Sequence, residues 1–345
     1  MALIETLFWL VGVKSPIGDE EELCGAIEQR FSGLPVQRVG NGLVVGQRTG
    51  RPLLLLTGHI DTVPHQGQPA PYVDAGRMYG LGTTDMKSGV AVMIHLLEDV
   101  AVQGGPYDVV GVFYDQEEGP ILDNQLSTIM EVVPWLSDAE FGVVLEPTDL
   151  EIEVGCNGAI NAILRVHGKS AHAARPWNGV NAITKAIPML QALEEFADRP
   201  VDIDGLVFHE VMNPTIVKGG VARNVLPKDF EVNVNYRFPP NCSLAEAQDR
   251  LRAVVGDHVD EIEFTDLAPS GPVPTSNPHL DRLAAISGAK RRPKQGWTDV
   301  AQLAQFGVEA INYGPGDPSL SHQVEESVEL DNLGTAFEVL KAFLT

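Results

Sequence analysis

A histidine and two carboxylates with the spacing of metal ligands lie between residues 53 and 89. Residues 53–56 are a short apolar run that predicts a buried strand. His59 and Asp61 follow it, and their spacing of two places both side chains on one face of extended backbone. Asp85 follows a glycine-rich turn and opens an apolar segment typical of a helix. A histidine, a carboxylate that orients its ring and a second carboxylate at a helix start make half of a metal site.

Further segments of the chain could supply the other half of this site. The candidates are DQEEGP with Glu117 and Glu118, LEPT with Glu146, GKSAHAARP with His172, and GPGDPSLSHQVEE with His322. The carboxylate clusters and the GPG loop each follow an apolar segment that we predict to be a strand. In a layered α/β fold such strand ends gather at one edge of the sheet.

Five of these side chains provide two imidazoles and three carboxylates, namely His59, Asp85, Glu118, Glu146 and His322. That set suits two divalent ions with one carboxylate shared between them. Nitrogen and oxygen ligands without thiolates favour zinc, cobalt or manganese. Two such ions about 3.5–4 Å apart can activate a water molecule and polarise a carbonyl group. Glu117, beside a ligand but directed elsewhere, is then expected to be the general base.

Composition limits the partners of the chain more than its fold. The 345 residues suggest about two domains, and the net charge of −23 argues against binding to nucleic acid, which requires neutralised phosphates. Cys24, Cys156 and Cys242 are far apart and odd in number, which is typical of free thiols in a reducing cytoplasm. The N-terminal residues have the spacing of an amphipathic helix rather than of a leader, and we expect no membrane span.

Strands and helices alternate over the first part of the chain. We expect strands over residues 53–56, 109–114 and 141–145, and a β-rich segment over residues 36–47 with a kink or turn at Gly40-Asn41-Gly42. Helices are expected over residues 19–31, 85–102 and 124–133. This alternation, with acidic residues at the strand ends, predicts an α/β layer fold that binds ligands beyond the carboxyl ends of its strands.

The order of the elements changes near residue 157. Strands over residues 159–166, 206–217, 230–238 and 261–267 and helices over residues 179–196 and 244–255 follow the order βαββαβ of a split βαβ sandwich. Helices and one more strand, over residues 308–313, return after residue 270. We therefore predict a larger domain of residues 1–157 and 271–345 with an inserted α+β domain of residues 158–270.

Taken in order, the motifs resemble those of the M20 family of co-catalytic metallopeptidases and amidohydrolases. The matching segments are GHIDTVP, YGLGTTDMKSG, YDQEEGP, LEPT, SAHAARP, ARNVLP and YGPGDPSLSH. The resemblance implies a three-layer α/β/α catalytic domain of the phosphorylase/hydrolase type with a ferredoxin-like lid and dimerisation domain. It departs from the family at Gln116, where an acid is frequent, and at Ser321, where alanine is frequent, and neither change removes a catalytic group.

Metal ligands can be carried over from this resemblance one residue at a time. It implies that His59, Asp85 and Glu146 hold one ion. Asp85, Glu118 and His322 would hold the other, so that Asp85 bridges the two.

The same resemblance implies roles for residues that do not bind the metals. Asp61 would orient His59, and Glu117 would be the catalytic acid and base. His172 matches a lid histidine that reaches the partner subunit's active site in dimeric members and stabilises an oxyanion. Substrate contacts are expected from Asn224, Arg237, Thr298 and Arg223.

The resemblance also implies a substrate class and an assembly. The segments GGVARNVLPKDFEVNVNYRF and GWTDVAQLAQFGVEAINYGPGDPSLSHQ look most like members that hydrolyse N-succinyl-L,L-diaminopimelate in the biosynthesis of diaminopimelate and lysine. Members acting on N-acetylornithine, N-acetyl-lysine, other acylated amino acids or peptides share the ligand set and remain open. So do a catalytically silent scaffold and a two-metal phosphoesterase. A homodimer through the lid is expected.

Overall fold

The computed structural model describes residues 1–196 and 198–345, which divide into two units. The first unit comprises Met1–Gly155, Pro272–Arg292 and Thr298–Thr345. The second comprises Cys156–Gly271 and Pro293–Trp297. Among the described residues, none of the helices combines the length and the apolar character that a bilayer crossing requires.

Strands and helices are numbered here along the chain. The strands are β1 (Val36–Val39), β2 (Gly42–Val45), β3 (Leu53–His59), β4 (Tyr72–Asp74), β5 (Arg77–Tyr79), β6 (Asp108–Tyr114), β7 (Phe141–Val144), β8 (Ile152–Val154), β9 (Gly158–His167), β10 (Arg199–Ile203), β11 (Leu206–Gly219), β12 (Asp229–Phe238), β13 (Glu261–Ala268), β14 (Arg291–Pro293), β15 (Ala310–Asn312) and β16 (Ser327–Glu329). The helices are α1 (Leu3–Gly12), α2 (Glu21–Arg30), α3 (Lys87–Glu98), α4 (Val100–Gln103), α5 (Leu126–Val132), α6 (Ala182–Lys185), α7 (Ile187–Phe196), α8 (Leu244–Val255), α9 (Pro278–Ser287), α10 (Val300–Gln305) and α11 (Leu330–Leu344).

Parallel strands form the centre of the large sheet, whose order is β1-β2-β6-β3-β7-β15-β8-β14. Strand β3 runs parallel to β6 and β7, and β15 runs parallel to β7. Every residue of β3 and of β6 is buried, so both faces of the sheet are covered. Helix α3 packs on β3 and β6 and is contacted by α1 and α11, whereas α2, α5 and α10 contact β2, β6, β7 and β15. The predicted α/β layer fold is confirmed.

One predicted helix of this unit is interrupted, and one predicted turn is confirmed. The segment expected as one helix over residues 85–102 forms α3 and α4, because the side chain of Asp99 caps α4 by accepting hydrogen bonds from the N–H groups of Ala101 and Val102. The β-rich segment over residues 36–47 is the hairpin of β1 and β2, and its turn at Gly40 and Asn41 confirms the kink or turn expected at Gly40-Asn41-Gly42.

The second unit contains a five-stranded antiparallel sheet of order β10-β11-β12-β9-β13. Without β10 this is the strand order of a βαββαβ fold, as the sequence predicts. Alternate residues of β12 are buried in a core that also includes residues of α7 and α8. Strand β10 was not expected, because this short edge strand contains a proline and has no buried residue.

One short segment belongs to a different unit from the one assigned to it by sequence. Pro293–Trp297 form part of the second unit, although we placed residues 271–345 in the larger domain. The side chain of Gln295 accepts a hydrogen bond from the N–H of His209 at 3.0 Å and donates one to the carbonyl of Val207 at 3.0 Å. These long-range bonds to β11 leave no local signature in the sequence.

Candidate metal centre

The candidate ligands lie where parallel strands of the large sheet end. His59 is the last residue of β3, and Glu118 and Glu146 lie in the loops that follow β6 and β7. His322 lies in the loop after β15, and Asp85 lies just before α3. Because these strands are parallel, their carboxyl ends open at the same edge, which is where α/β sheets bind ligands.

Asp85 lies between the two histidines and uses a different oxygen for each. Its Oδ1 is 3.2 Å from Nε2 of His59, and its Oδ2 is 3.6 Å from Nε2 of His322. Glu146 Oε1 is 3.7 Å from the first imidazole, and Glu118 Oε1 is 2.9 Å from the second. The sets His59–Asp85–Glu146 and Asp85–Glu118–His322 each bring their ligand atoms within 4.8 Å of one another. The structure therefore brings together all five predicted ligands.

Asp61 organises both the imidazole of His59 and the acidic loop. Its Oδ1 is 3.3 Å from His59 Nδ1, while Nε2 of the same ring faces Asp85 and Glu146. The carboxylate of Asp61 also accepts hydrogen bonds from the backbone N–H groups of Glu117 at 3.2 Å and Glu118 at 3.0 Å. The two side chains of Asp61 and His59 are fully buried. His59 Nδ1 also lies 3.2 Å from the backbone carbonyl of Asp61. Asp61 thus orients the ring through both its carbonyl and its carboxylate, and the carboxylate also fixes the path of the following loop.

Negative charge is concentrated at this site. Burial raises the pKa of Glu117 well above its usual range, and the neighbouring carboxylates of Glu146 and Asp299 raise this pKa further, against the opposing effect of His59. Burial likewise raises the pKa of Glu118. A cluster of carboxylates and imidazoles without thiolates, in which negative charge is unfavourable, fits divalent cations with oxygen and nitrogen ligands.

The GPG sequence lets the loop that carries His322 approach the sheet closely. A Cβ on Gly314 would lie 2.4 Å from the carbonyl oxygen of Glu146, and one on Gly316 would lie 2.7 Å from that of Thr84. The Gly314 N–H donates to the hydroxyl of Thr148 at 3.1 Å. Glycine is therefore required here for space, and the threonine of LEPT holds the GPG loop against the end of β7.

Two buried carboxylates beside the site were missed in the sequence. Asp299 accepts hydrogen bonds from the hydroxyl of Tyr114 at 2.6 Å and from the side-chain amides of Asn124 at 2.9 Å and Gln302 at 2.7 Å. Glu326 accepts hydrogen bonds from the backbone N–H groups of Thr84 and Asp85. The available signals were the acid of GWTD and the paired acids of HQVEE, which also occur in solvated turns.

The candidate substrate contacts lie in both units. In the second unit, the segments of His172 and Asn224 are adjacent, since the N–H of Ala173 donates to the carbonyl of Asn224 at 2.8 Å. Arg237 lies on β12, and its Nε donates to the side chain of Asn235 at 2.9 Å. Both His172 and Arg223 are exposed, and Thr298, in the first unit, is buried.

The fold and the site define a metal-dependent hydrolase, and comparison with known proteins identifies the family. A family model described as peptidase family M20/M25/M40 matches residues 55–345, and the chain belongs to this family. A Mycobacterium tuberculosis protein designated DapE, with a provisional assignment as a succinyl-diaminopimelate desuccinylase, is 39% identical over 95% of this chain and 92% of its own length. The succinyl-diaminopimelate desuccinylase of Corynebacterium glutamicum is 35% identical over 97% and 94% of the two chains.

A solved structure supports the same fold. A Bacillus subtilis protein described as a dinuclear metal-binding peptidase of the M20 family superposes with a TM-score of 0.73 and 15% identity, covering 99% of this chain and 96% of its own. The predicted family and enzyme class are confirmed: the chain is an amide hydrolase that depends on divalent metal ions.

Proposed function

We propose that this enzyme removes the succinyl group from N-succinyl-L,L-diaminopimelate, yielding succinate and L,L-diaminopimelate. The observation that carries the reaction is the placement of Asp85, whose two oxygens face one histidine each. The proposed substrate is supported by two relatives that match nearly the whole chain and bear this activity in their names.

The proposed ligand sets follow the two clusters of side chains. His59, Asp85 and Glu146 would hold one ion, and Asp85, Glu118 and His322 the other. Zinc is the first choice for these nitrogen and oxygen donors, with cobalt and manganese as alternatives.

Glu117 is the proposed acid and base of the reaction. Two divalent ions bound at this site would lower the pKa of a water molecule and polarise the amide carbonyl. Glu117 accepts the proton of the attacking water and later donates it to the leaving amine nitrogen.

The second unit is proposed as the lid and dimerisation domain. His172 would stabilise the oxyanion of the tetrahedral intermediate, and Asn224 would contact the substrate. The guanidinium groups of Arg237 and Arg223 could bind the succinyl or amino-acid carboxylates by charge-assisted hydrogen bonds. Thr298 is proposed as a further contact from the first unit.

The substrate proposal is tested by comparing kcat/KM values of the metal-loaded enzyme. The panel contains N-succinyl-L,L-diaminopimelate, N-acetylornithine, N-acetyl-lysine, a dipeptide and a generic phosphoester. We expect the succinyl substrate to be preferred by about 100-fold or more, because a site built to hydrogen-bond a polar group rejects analogues that lack it. Preference for another N-acyl amino acid would refute the substrate and retain the mechanism. No amide hydrolysis with both ions bound would contradict the reaction itself.

Glu117→Gln tests the proposed acid and base. We expect kcat to fall by about 100- to 10,000-fold, the usual contribution of a positioned acid or base. Two equivalents of metal should still bind, because Glu117 belongs to neither proposed ligand set. Activity close to that of the unmodified enzyme would remove this role from Glu117.

A homodimer through the second unit is supported by an open strand edge. Strand β10 pairs with residues 206–210 of β11, and within the described residues no strand pairs with this edge beyond that point. Ile216 and Val217 on the open part are 58% and 61% exposed, and Ile183 and Ile187 on nearby helices are also exposed. An apolar open edge is a template for pairing with a second copy of the chain.

The assembly can be measured by size-exclusion chromatography with light scattering. We expect Val217→Lys to shift a dimer toward monomers, whereas Val100→Lys, at an apolar residue of the first unit that is 86% exposed, should leave the dimer intact. An unmodified protein that is monomeric at assay concentrations would refute the proposed dimer.

Subunit mixing tests whether His172 acts on the partner's site. His172→Ala and Glu117→Gln subunits are each expected to be nearly inactive. If His172 acts across the dimer, re-equilibrated mixtures should recover about a quarter of normal activity, since half of the dimers are mixed and each has one intact site. No recovery in mixtures that contain mixed dimers would place the action of His172 within its own subunit.

The cytoplasm is the proposed location. The three cysteines are free and buried, which is typical of proteins in reducing compartments. Fractionation of cells expressing the tagged protein would test this location.

A further inference from the structure

Glu326 joins the loop of Asp85 to the loop of His322. It is 1% exposed, and its Oε1 accepts hydrogen bonds from the backbone N–H of Thr84 at 2.9 Å and of Asp85 at 3.1 Å. Glu326 is four residues from His322 in the chain and 241 residues from Asp85.

Neighbouring backbone bonds strengthen this connection. The N–H of Gly80 donates to the carbonyl of Glu326 at 3.1 Å, and the hydroxyl of Thr84 donates to the carbonyl of Ser327 at 2.8 Å. Strand β16, which begins at Ser327, pairs with β5, which ends at Tyr79. The segment that precedes Asp85 is therefore held along its whole length by residues that follow His322.

The hydrogen bond to the N–H of Asp85 acts on the residue that the two ligand sets share. Rotation of the Asp85 backbone would displace both oxygens of its carboxylate, of which one faces His59 and the other faces His322. Groups that hydrogen-bond to a metal ligand without binding the metal themselves strongly influence metal affinity. A carboxylate buried here is unfavourable unless its hydrogen bonds compensate for lost hydration.

We propose, on the basis of the two-metal site proposed above, that Glu326 is a positioning residue that sets the affinity of the Asp85–Glu118–His322 position more than that of the other. Two of the three ligands at this position, Asp85 and His322, lie on loops that Glu326 joins.

The two positions differ in how their remaining ligands are supported. His59 ends a fully buried strand, and Glu146 follows the buried strand β7. The side chain of His322 is 48% exposed and lies on a loop whose last turn closes with a 3.3 Å hydrogen bond from the N–H of Glu326 to the carbonyl of Gln323. Removing the carboxylate of Glu326 should therefore weaken metal binding at the Asp85–Glu118–His322 position more than at the other position.

The test is a Co²⁺ titration of chelator-treated full-length protein, followed by calorimetry and by the visible absorption of bound cobalt. In Glu326→Ala we expect the second equivalent to bind about 10- to 100-fold more weakly, the usual effect of removing such a partner, and its absorption bands to shift. The first equivalent should change by less than about threefold. Glu325→Ala, which removes an exposed neighbouring carboxylate, should behave as the unmodified protein.

A conservative variant keeps the test valid if Glu326→Ala does not fold. Glu326→Gln retains an oxygen for the N–H groups of Thr84 and Asp85 but loses the charge. Charge-assisted hydrogen bonds are about twice as strong as neutral ones, so we expect about half of the free-energy effect, a 3- to 10-fold loss at the second equivalent.

The outcomes distinguish this role from the two-metal proposal. Fewer than two equivalents of Co²⁺ bound by the unmodified protein would overturn the two-metal site itself. Two equivalents there, with unchanged or equally weakened affinities in a folded Glu326 variant, would overturn only the positioning role. A lower thermal midpoint of the metal-free variant with normal cobalt affinities would show that Glu326 stabilises the fold alone.

Discussion

Asp61→Asn should impair the enzyme through the tautomer of His59. The carboxylate of Asp61 lies 3.3 Å from Nδ1 of His59 and accepts hydrogen bonds from the N–H groups of Glu117 and Glu118. Paired with this carboxylate and with the backbone carbonyl of Asp61 at 3.2 Å, the ring carries its proton on Nδ1 and leaves Nε2 free to bind a metal. An asparagine has one oxygen and one NH₂ group for positions where the carboxylate offers two oxygens.

Neither orientation of the new amide can replace both oxygens. With NH₂ toward His59, the amide opposes the proton on Nδ1 that the backbone carbonyl of Asp61 still accepts, and a shift of that proton would place it on Nε2, the atom that faces Asp85 and Glu146. With NH₂ away from the ring, the amide places a donor opposite the N–H of Glu118, which in the unmodified protein donates to Asp61 Oδ2 at 3.0 Å. Loss of a hydrogen bond to a charged group is worth about 1.5–3 kcal/mol, which corresponds to about 10- to 150-fold.

We therefore expect Asp61→Asn to lower metal affinity or kcat/KM by about 10- to 150-fold. The assay measures kcat/KM against metal concentration, so that weaker binding is separated from slower chemistry in the loaded enzyme. Asp123→Asn, at an exposed carboxylate, serves as the control. Metal affinity and kcat/KM both within threefold of the unmodified enzyme would refute the orienting role of Asp61.

Further predictions concern stability, packing and metal dependence. Burial alone would raise the pKa of Asp108, but bonds from Thr49, Gly50 and Arg51 lower it to about 2, below the unfolded value of about 3.9. Asp108→Asn should therefore lower the free energy of unfolding in urea by about 2–4 kcal/mol near neutral pH. This loss should shrink as the pH falls from about 4 toward 2, because the aspartate of the unmodified protein is then protonated as well. A loss that grows with acidity would contradict the prediction. Gly314→Ala should lower the free energy of unfolding by about 1–3 kcal/mol and reduce activity, because its Cβ would lie 2.4 Å from a backbone oxygen. An unchanged thermal midpoint and an unchanged kcat would contradict this close packing. A chelator should abolish hydrolysis, and added Zn²⁺ or Co²⁺ should restore it; activity that persists in protein shown to be metal-free would exclude the proposed chemistry.

Local patterns account for the elements that could be predicted. The leucines at the start of β3 indicate a strand that is buried on both faces. The alternation of apolar and polar residues along β12 indicates a strand that is buried on one face. The turn between β1 and β2 is likewise marked by Gly40-Asn41-Gly42. The break at Asp99 depends on a helix cap, which competes with periodicity over a few residues. Strand β10 and the assignment of Pro293–Trp297 depend on distant partners, so the local pattern does not reveal them.

The sequence alone determined the types of the ligands, their order and their positions after strands, because apolar runs and acidic turns are local features. It also indicated the family, since several short motifs occur in one order. Only the tertiary structure decided that the two oxygens of Asp85 face different histidines and that Glu326 supports Asp85 from behind. Such contacts join residues up to 241 positions apart, and their distances depend on how strands and loops pack rather than on neighbours in the chain.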